Sequence, residues 1–197
     1  MTEPPLETIV LVRRARLEDL DAIMVIEETR FTAPWPASVL AHDLQGATEA
    51  AYWVAVIGGA ITAYLGGWLY DVEFHVGSVA TARAWCRRGL GELLMLTALE
   101  HARERGADLV VLEYRVSNRA AEALYAKLGF EVLRTRRRYY ADREDAREAA
   151  LLELQTEACG EELRRQAQRW AREHPDLVLA AEPDAARPPG DCCHRPA

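Results

Sequence analysis

One segment narrows the folds open to this chain more than any other. Residues 72–80 (VEFHVGSVA) alternate sides as a strand does, and residues 89–105 place Leu90, Leu93, Leu94, Ala98 and His101 at helical spacing. Between them lies Cys86-Arg87-Arg88-Gly89-Leu90-Gly91, and a buried-looking strand over residues 109–116 follows the helix. A strand, crossover helix and second strand make a parallel pairing. Two glycines at alternate positions let the backbone approach a ligand without Cβ atoms in the way. The first N–H groups of the helix then point outward with the positive end of its dipole behind them, and Arg87 and Arg88 add cations. Such a turn suits a phosphorylated cofactor or simply begins a helix. It is neither a P-loop, since no Gly-Lys-Ser/Thr follows, nor a dinucleotide fingerprint, since the third glycine is missing.

Around this unit the pattern predicts a first strand over Thr8–Arg14, a helix carrying Leu17, Leu20, Ile23, Met24 and Ile26, and a short helix about Ala37–Leu44 after Pro34-Trp35-Pro36. Residues 52–57 and 60–70 read as strands joined by the Gly58-Gly59 turn, and Gly77 as a bulge in the next strand. A helix over residues 118–128 ends at Gly129, and strands over 130–140 and 149–154 close the domain. The fold class is mixed α/β (α+β): a mostly antiparallel central sheet of about seven strands flanked by helices, with one parallel pair. The expected organisation is one domain over residues 8–154, a helical extension over 155–175, and a disordered tail over 176–197, where Ala, Pro and Asp leave little to bury.

Composition excludes several classes. No run approaches the ~20 apolar residues of a membrane span, and no signal peptide is visible, so no membrane association is expected. The formal charge of -7 opposes direct nucleic-acid binding and is compatible with a basic partner. The four cysteines form neither a disulfide framework nor a zinc site, and Cys192-Cys193-His194 lacks further ligands at proper spacing. A reducing cytoplasm and a chain without metal are the expectation.

The second constellation is more specific. Leu112-Glu113-Tyr114-Arg115-Val116-Ser117-Asn118-Arg119-Ala120-Ala121 is followed by Ala123-Leu124-Tyr125-Ala126-Lys127-Leu128-Gly129-Phe130. Together with the Gly-x-Gly turn it resembles the GNAT superfamily of N-acetyltransferases. The early IEETRF…PW and the later RRRYY resemble its RimI-type branch, which modifies protein N-termini. The resemblance runs from about Ile9 to Leu154 and implies a GNAT fold with its parallel pair at the acetyl-CoA site. It implies that the backbone of Val79, Ala80 and Thr81 pairs with the pantetheine arm. It also implies that Arg87, Arg88, Gly89, Leu90, Gly91 and Glu92 hold the pyrophosphate, and that Asn118 contacts the cofactor. Glu113 takes the place of the general base and Tyr125 that of the general acid. Phe31, Pro34, Trp35, Tyr139 and Tyr140 take those of the peptide cleft, with no metal required. Partial burial of Glu113 would raise its pKa and suit it to the task.

Three features depart from the family. Cys86 stands where Gln or Arg is usual, Arg83 where Pro is frequent, and the segment over residues 142–148 is longer than usual. His75, on the strand leading to the cofactor turn, is a rival base or a structural histidine. Arg136-Arg137-Arg138 is a strand edge or part of the cleft. The implied activity is acetyl transfer to a protein N-terminus, the alanine of a small-subunit ribosomal protein, by a monomer or weak dimer. A small-molecule amine or lysine acceptor is the alternative, and a non-catalytic acyl-CoA-binding module the third reading.

Overall fold

Eight strands pair into a single mixed sheet in the order β6-β7-β5-β4-β3-β2-β1-β8, in a computed structural model that describes residues 7–46 and 48–180. They are β1 (Thr8–Arg14), β2 (Ala50–Ile57), β3 (Ala60–Tyr70), β4 (Glu73–Thr81), β5 (Leu109–Arg115), β6 (Glu131–Arg136), β7 (Ala146–Leu151) and β8 (Leu177–Ala180). The expected antiparallel meander β2-β3-β4 and the parallel β4-β5 pair are present. Among the described residues five α-helices pack on the sheet: α1 (Leu20–Arg30), α2 (Ala37–Leu44), α3 (Leu90–Glu104), α4 (Arg119–Lys127) and α5 (Glu157–Glu173).

Strand alternation decides which helices lie on which face. Tyr52, Val54 and Tyr64 turn towards α1 and α2, where Ile23, Ile26 and Leu40 meet them. Trp53, Leu65, Phe74 and Leu112 turn the other way, against Leu93, Leu94, Ala98, Tyr125 and Trp170 of α3, α4 and α5. Helices therefore cover both faces of the β2-β3-β4 part of the sheet.

The sheet opens where β4 diverges from β5. The two strands pair only from Glu73–Val76 to Leu109–Leu112. Beyond this, β4 continues to Thr81 against β3 alone, and β5 continues to Arg115 against β7 alone. The bulge at Gly77 helps to steer β4 away, for Gly66 faces Ser78 while Gly67 faces Val76.

Two expectations need correcting. The strand read over residues 130–140 ends at Arg136, because Arg138 takes a φ of 52° and its N–H turns to the Asp145 carboxylate at 2.8 Å. The sheet has eight strands rather than seven, and a second parallel pair: Leu177–Ala180, assigned to the tail, lies beside β1. Residues 181–197, including Cys192-Cys193-His194, lie outside the described residues. No helix is long and apolar enough to cross a membrane among those described.

Candidate active site

Glu113 leaves β5 on the α1/α2 face, and His75 leaves β4 on the same face, since Phe74 and Tyr114 on either side face the other core. Their side chains meet: His75 Nε2 lies 2.8 Å from Glu113 Oε2. A carboxylate only accepts, so the shared hydrogen belongs to Nε2, and Nδ1 is left as the accepting nitrogen. Arg136 of β6 donates from the other side to Glu113 Oε1 at 2.5 Å. The Glu113 side chain is 7% exposed and that of His75 31% exposed, so the histidine stands in front of the carboxylate.

These partners reverse the expected direction of the Glu113 pKa. The hydrogen bond from His75 holds it below the usual carboxylate range, with Arg136 adding to the effect, and together they outweigh burial. The same bond to Glu113 raises the His75 imidazole above its ordinary value, against burial and the nearby Arg136. Of the pair, His75 is thus the group whose proton affinity is raised, and the more exposed one.

Two loops distant in sequence carry the aromatic residues expected to wall a peptide cleft. In the α1-α2 loop the Trp35 N–H donates to Glu27 Oε1 at 2.9 Å, while Tyr64 Oη donates to the other oxygen. Glu27 is 1% exposed, and burial raises its pKa. The Trp35 ring packs edge-on against Trp68 at 5.7 Å, Pro34 is exposed, and Phe31 is half-buried against the α1 core. After β6, Tyr139 and Tyr140 pack edge-to-face, with Arg136 over the first ring and Arg115 over the second. Burial pushes the Tyr140 phenol up to about 12.

Arg115, two residues beyond Glu113 on the same face of β5, links these two loops. Its guanidinium donates to Asp142 and Glu144 at 2.7–3.0 Å and to Thr32 Oγ1 at 2.8 Å, and lies 4.0 Å from the Tyr140 ring centre. The acidic residues of the long segment before β7 are therefore the partners of Arg115. The sequence pattern did not single it out, although strand alternation placed it beside Glu113. Replacing Arg115 by Lys keeps the charge but loses the planar fork and the stacking. We expect the KM for a peptide acceptor to rise about tenfold with cofactor affinity unchanged, which steady-state kinetics with each substrate varied will check.

Tyr125 lies on the other face of the sheet. It projects from α4 between Tyr114 and Phe130, at ring distances of 5.4 and 5.7 Å, and is 6% exposed. Burial raises its pKa, so the phenol keeps its proton at neutral pH. Glu113 and Tyr125 thus flank β5 from opposite sides, beyond the point where β4 and β5 part.

The Gly-x-Gly turn is built for main-chain contacts. Gly89 caps α3 in the left-handed region at φ 78°, and Arg87 before it has φ 64°. Leu90 is buried, and the Glu92 carboxylate is held by Lys127 at 2.8 Å, so these two residues offer a ligand their N–H groups. Arg88 stacks on Trp85 and lies 3.4 Å from Asp176. A Cβ added at Gly91 would meet nothing nearer than 3.9 Å, so the folded chain itself does not demand glycine there. The Cys86 thiol rests 3.5–3.6 Å from the carbonyls of Ala82 and Thr81. Asn118 Oδ1 caps α4 through the Ala121 N–H at 3.1 Å, a bond that does not use its amide nitrogen. Val79, Ala80 and Thr81 pair with β3 on one side only.

The model of the acetyltransferase (GNAT) family matches residues 20–130, more than half of the chain. The chain belongs to this family. It is an N-acetyltransferase with the GNAT fold. A Bacillus subtilis chain described as a candidate ribosomal protein bS18-alanine N-acetyltransferase is 35% identical over 142 residues, covering 72% of this chain and 94% of its own. The N-alpha-acetyltransferase RimI of Mycobacterium tuberculosis is 33% identical, covering 71% and 86%. The crystal structure of the ribosomal-protein-S18-alanine N-acetyltransferase from Escherichia coli superposes with a TM-score of 0.68 at 29% identity, covering 73% of this GNAT chain and 94% of that one. The family uses acetyl-CoA, and the divergent β4 edge and the Gly89-Gly91 turn fit an extended, phosphorylated ligand.

Proposed function

We propose that this acetyltransferase acts on the α-amine of a protein N-terminus, with the alanine terminus of a small-subunit ribosomal protein as its acceptor. The observation that carries the reading is the placement of proton-handling groups on both sides of the β4-β5 divergence: His75 and Glu113 towards the α1/α2 loops, Tyr125 towards α3 and α4. The names of the relatives at 33–35% identity support the acceptor class.

An α-amine titrates near ~8 and is mostly charged at neutral pH, so it must lose a proton before it attacks. His75 Nδ1 takes that proton, and Glu113 holds the ring and stabilises the imidazolium that results. Arg136 keeps Glu113 ionised and in place. Acetyl-CoA, when bound, supplies the activated acyl carbon and a thiolate leaving group. On the unpaired edge of β4 the main-chain N–H groups of Val79 and Thr81 would pair with the pantetheine arm, while Ala80 turns its N–H to β3. Arg87, Arg88 and the N–H groups from Gly89 to Glu92 would hold the pyrophosphate, and the Asn118 amide, at the start of α4, would contact the cofactor. Tyr125 provides the proton that the thiolate needs. The aromatic loops carrying Phe31, Pro34, Trp35, Tyr139 and Tyr140 clasp the peptide.

Release of CoA should follow addition of peptides beginning Ala or Ser with a free amine, and stop when that amine is blocked. Turnover of polyamines or lysine side chains but of no peptide N-terminus would sink the acceptor assignment. Tyr125→Phe should lower kcat by about 10²-fold, because the buried ring is kept while the proton donor goes. Thermal unfolding should shift little, and stopped-time assays will give kcat.

A further inference from the structure

We propose that Trp170 and Asp176, in the chain that follows the last strand of the acetyltransferase core, position the cofactor turn. They are positioning residues of the acetyl-CoA site. This rests on the reading of Gly89-Leu90-Gly91 as the pyrophosphate cradle. The family model ends at residue 130, and 73% of this chain already accounts for 94% of the Escherichia coli structure. α5 and β8 lie beyond the matched range, yet they end at the most conformationally demanding part of the site.

The indole of Trp170 is 2% exposed, and its Nε1–H donates to the Gly89 carbonyl at 2.9 Å. That carbonyl also accepts the first helical N–H, from Leu93 at 3.0 Å. Two donors on one oxygen fix the plane of the Gly89-Leu90 peptide, and with it the direction of the Leu90 N–H that the turn presents to an anion. His174 stacks on the indole at 5.0 Å and 25°, and its Nδ1–H donates to the Trp170 carbonyl at 2.9 Å. The imidazole then lies against Gly89, so closely that a Cβ there would be 2.3 Å from Nε2. Asp176 lies 3.4 Å from the guanidinium of Arg88 and so orients one of the two cations of the turn.

This end of the extension is itself anchored. The Asp176 carbonyl accepts the Thr8 N–H at 2.7 Å where β8 joins β1, and Lys127 bridges Glu92 of α3 and Glu173 of α5 at 2.8 Å each. One ammonium group of α4 is thus shared by a carboxylate of α3 and one of α5. An α5 that only covered apolar surface would need none of these polar contacts to residues 88–92.

If the extension holds the turn in its binding geometry, binding and docking are linked, and each must favour the other. The test uses the full chain, acetyl-CoA and CoA. Trp170→Phe keeps an aromatic ring and removes the donor to Gly89; Asp176→Asn removes the charge facing Arg88. We expect each to raise the KM for acetyl-CoA and the Kd for CoA about fivefold to tenfold, with kcat and the KM for peptide within about twofold. Hydrogen exchange in residues 165–177 of the unmodified protein should slow when CoA is added. Equal cofactor affinity in the unmodified protein and both folded variants, or exchange in α5 that ignores CoA, overturns the inference while leaving the cradle intact. Unmodified protein that fails to bind CoA overturns the cradle and this inference together. Should Trp170→Phe fail to fold, Asp176→Asn and the exchange experiment still decide.

Discussion

Glu113→Gln is expected to lower kcat by about 10²-fold, and to move the acidic limb of the kcat–pH profile to lower pH. The size follows from what the carboxylate does: it sets the His75 tautomer through the 2.8 Å bond and stabilises the charge that appears when the ring takes the proton. The direction follows from the raised His75 pKa, whose largest cause is that same bond. Only neutral His75 can act as base, so activity in the acceptor complex rises as pH passes its pKa. Without the negative charge of Glu113 the imidazole falls back towards its reference value near ~6.5. The limb therefore descends in pH while the plateau drops. His75→Ala should remove the limb and cost at least as much. Profiles of kcat with saturating peptide report groups in the complex rather than the free amine. A Glu113→Gln enzyme within twofold of the unmodified rate, or a His75→Ala enzyme with an unchanged limb, would show that this pair does not carry the proton.

The pair also marks where reading the sequence stops. Glu113 and Tyr125 were legible as candidates because the pattern around them is local and its spacing specific. The strands and helices near them were legible because their apolar periods differ, 2 against 3.6. What Glu113 touches is not local: His75 is 38 residues away and Arg136 is 23 away. A lone carboxylate on a half-buried strand is expected to have a raised pKa, and only the hydrogen bonds that tertiary structure brings from His75 and Arg136 reverse that. Arg115 was hidden for the same reason, as its partners Thr32 and Asp142 come from opposite ends of the domain. The amphipathic pattern of α5 announced a buried face, but an amphipathic period does not say against what. Hence the sequence does not single out Trp170, whose partner, the Gly89 carbonyl, lies 81 residues away. β8 was invisible because four apolar residues before a stretch rich in Ala and Pro carry no pairing signal. Its parallel partner β1 lies at the other end of the chain.

The second large effect is expected at the turn, where Gly89→Val should abolish measurable CoA binding while Cys86→Ala leaves it within about twofold. Gly89 sits at φ 78°, a region that β-branched residues essentially avoid, and forcing one there costs about 1–3 kcal/mol. The new Cβ would also fall 2.3 Å from His174, which cannot simply swing aside while its ring is stacked on Trp170 and hydrogen-bonded to the Trp170 carbonyl. Either the backbone rotates, turning the N–H groups away from the anion, or the end of α5 is displaced. Both outcomes spoil the cradle. The Cys86 thiol, by contrast, makes only long contacts to two carbonyls, and the proposed cradle uses main-chain groups and the two arginines rather than that side chain. Strain alone is separated from loss of the cradle by Gly106→Val. Gly106 closes the other end of α3 at φ 85°, with no atom within 4 Å of where its Cβ would stand. That variant should be destabilised in thermal melts and yet, where folded, bind CoA like the unmodified protein by calorimetry. If Gly106→Val weakens binding as much as Gly89→Val, the effect is one of stability. If Cys86→Ala weakens binding more than Gly89→Val, the cofactor does not rest on this turn.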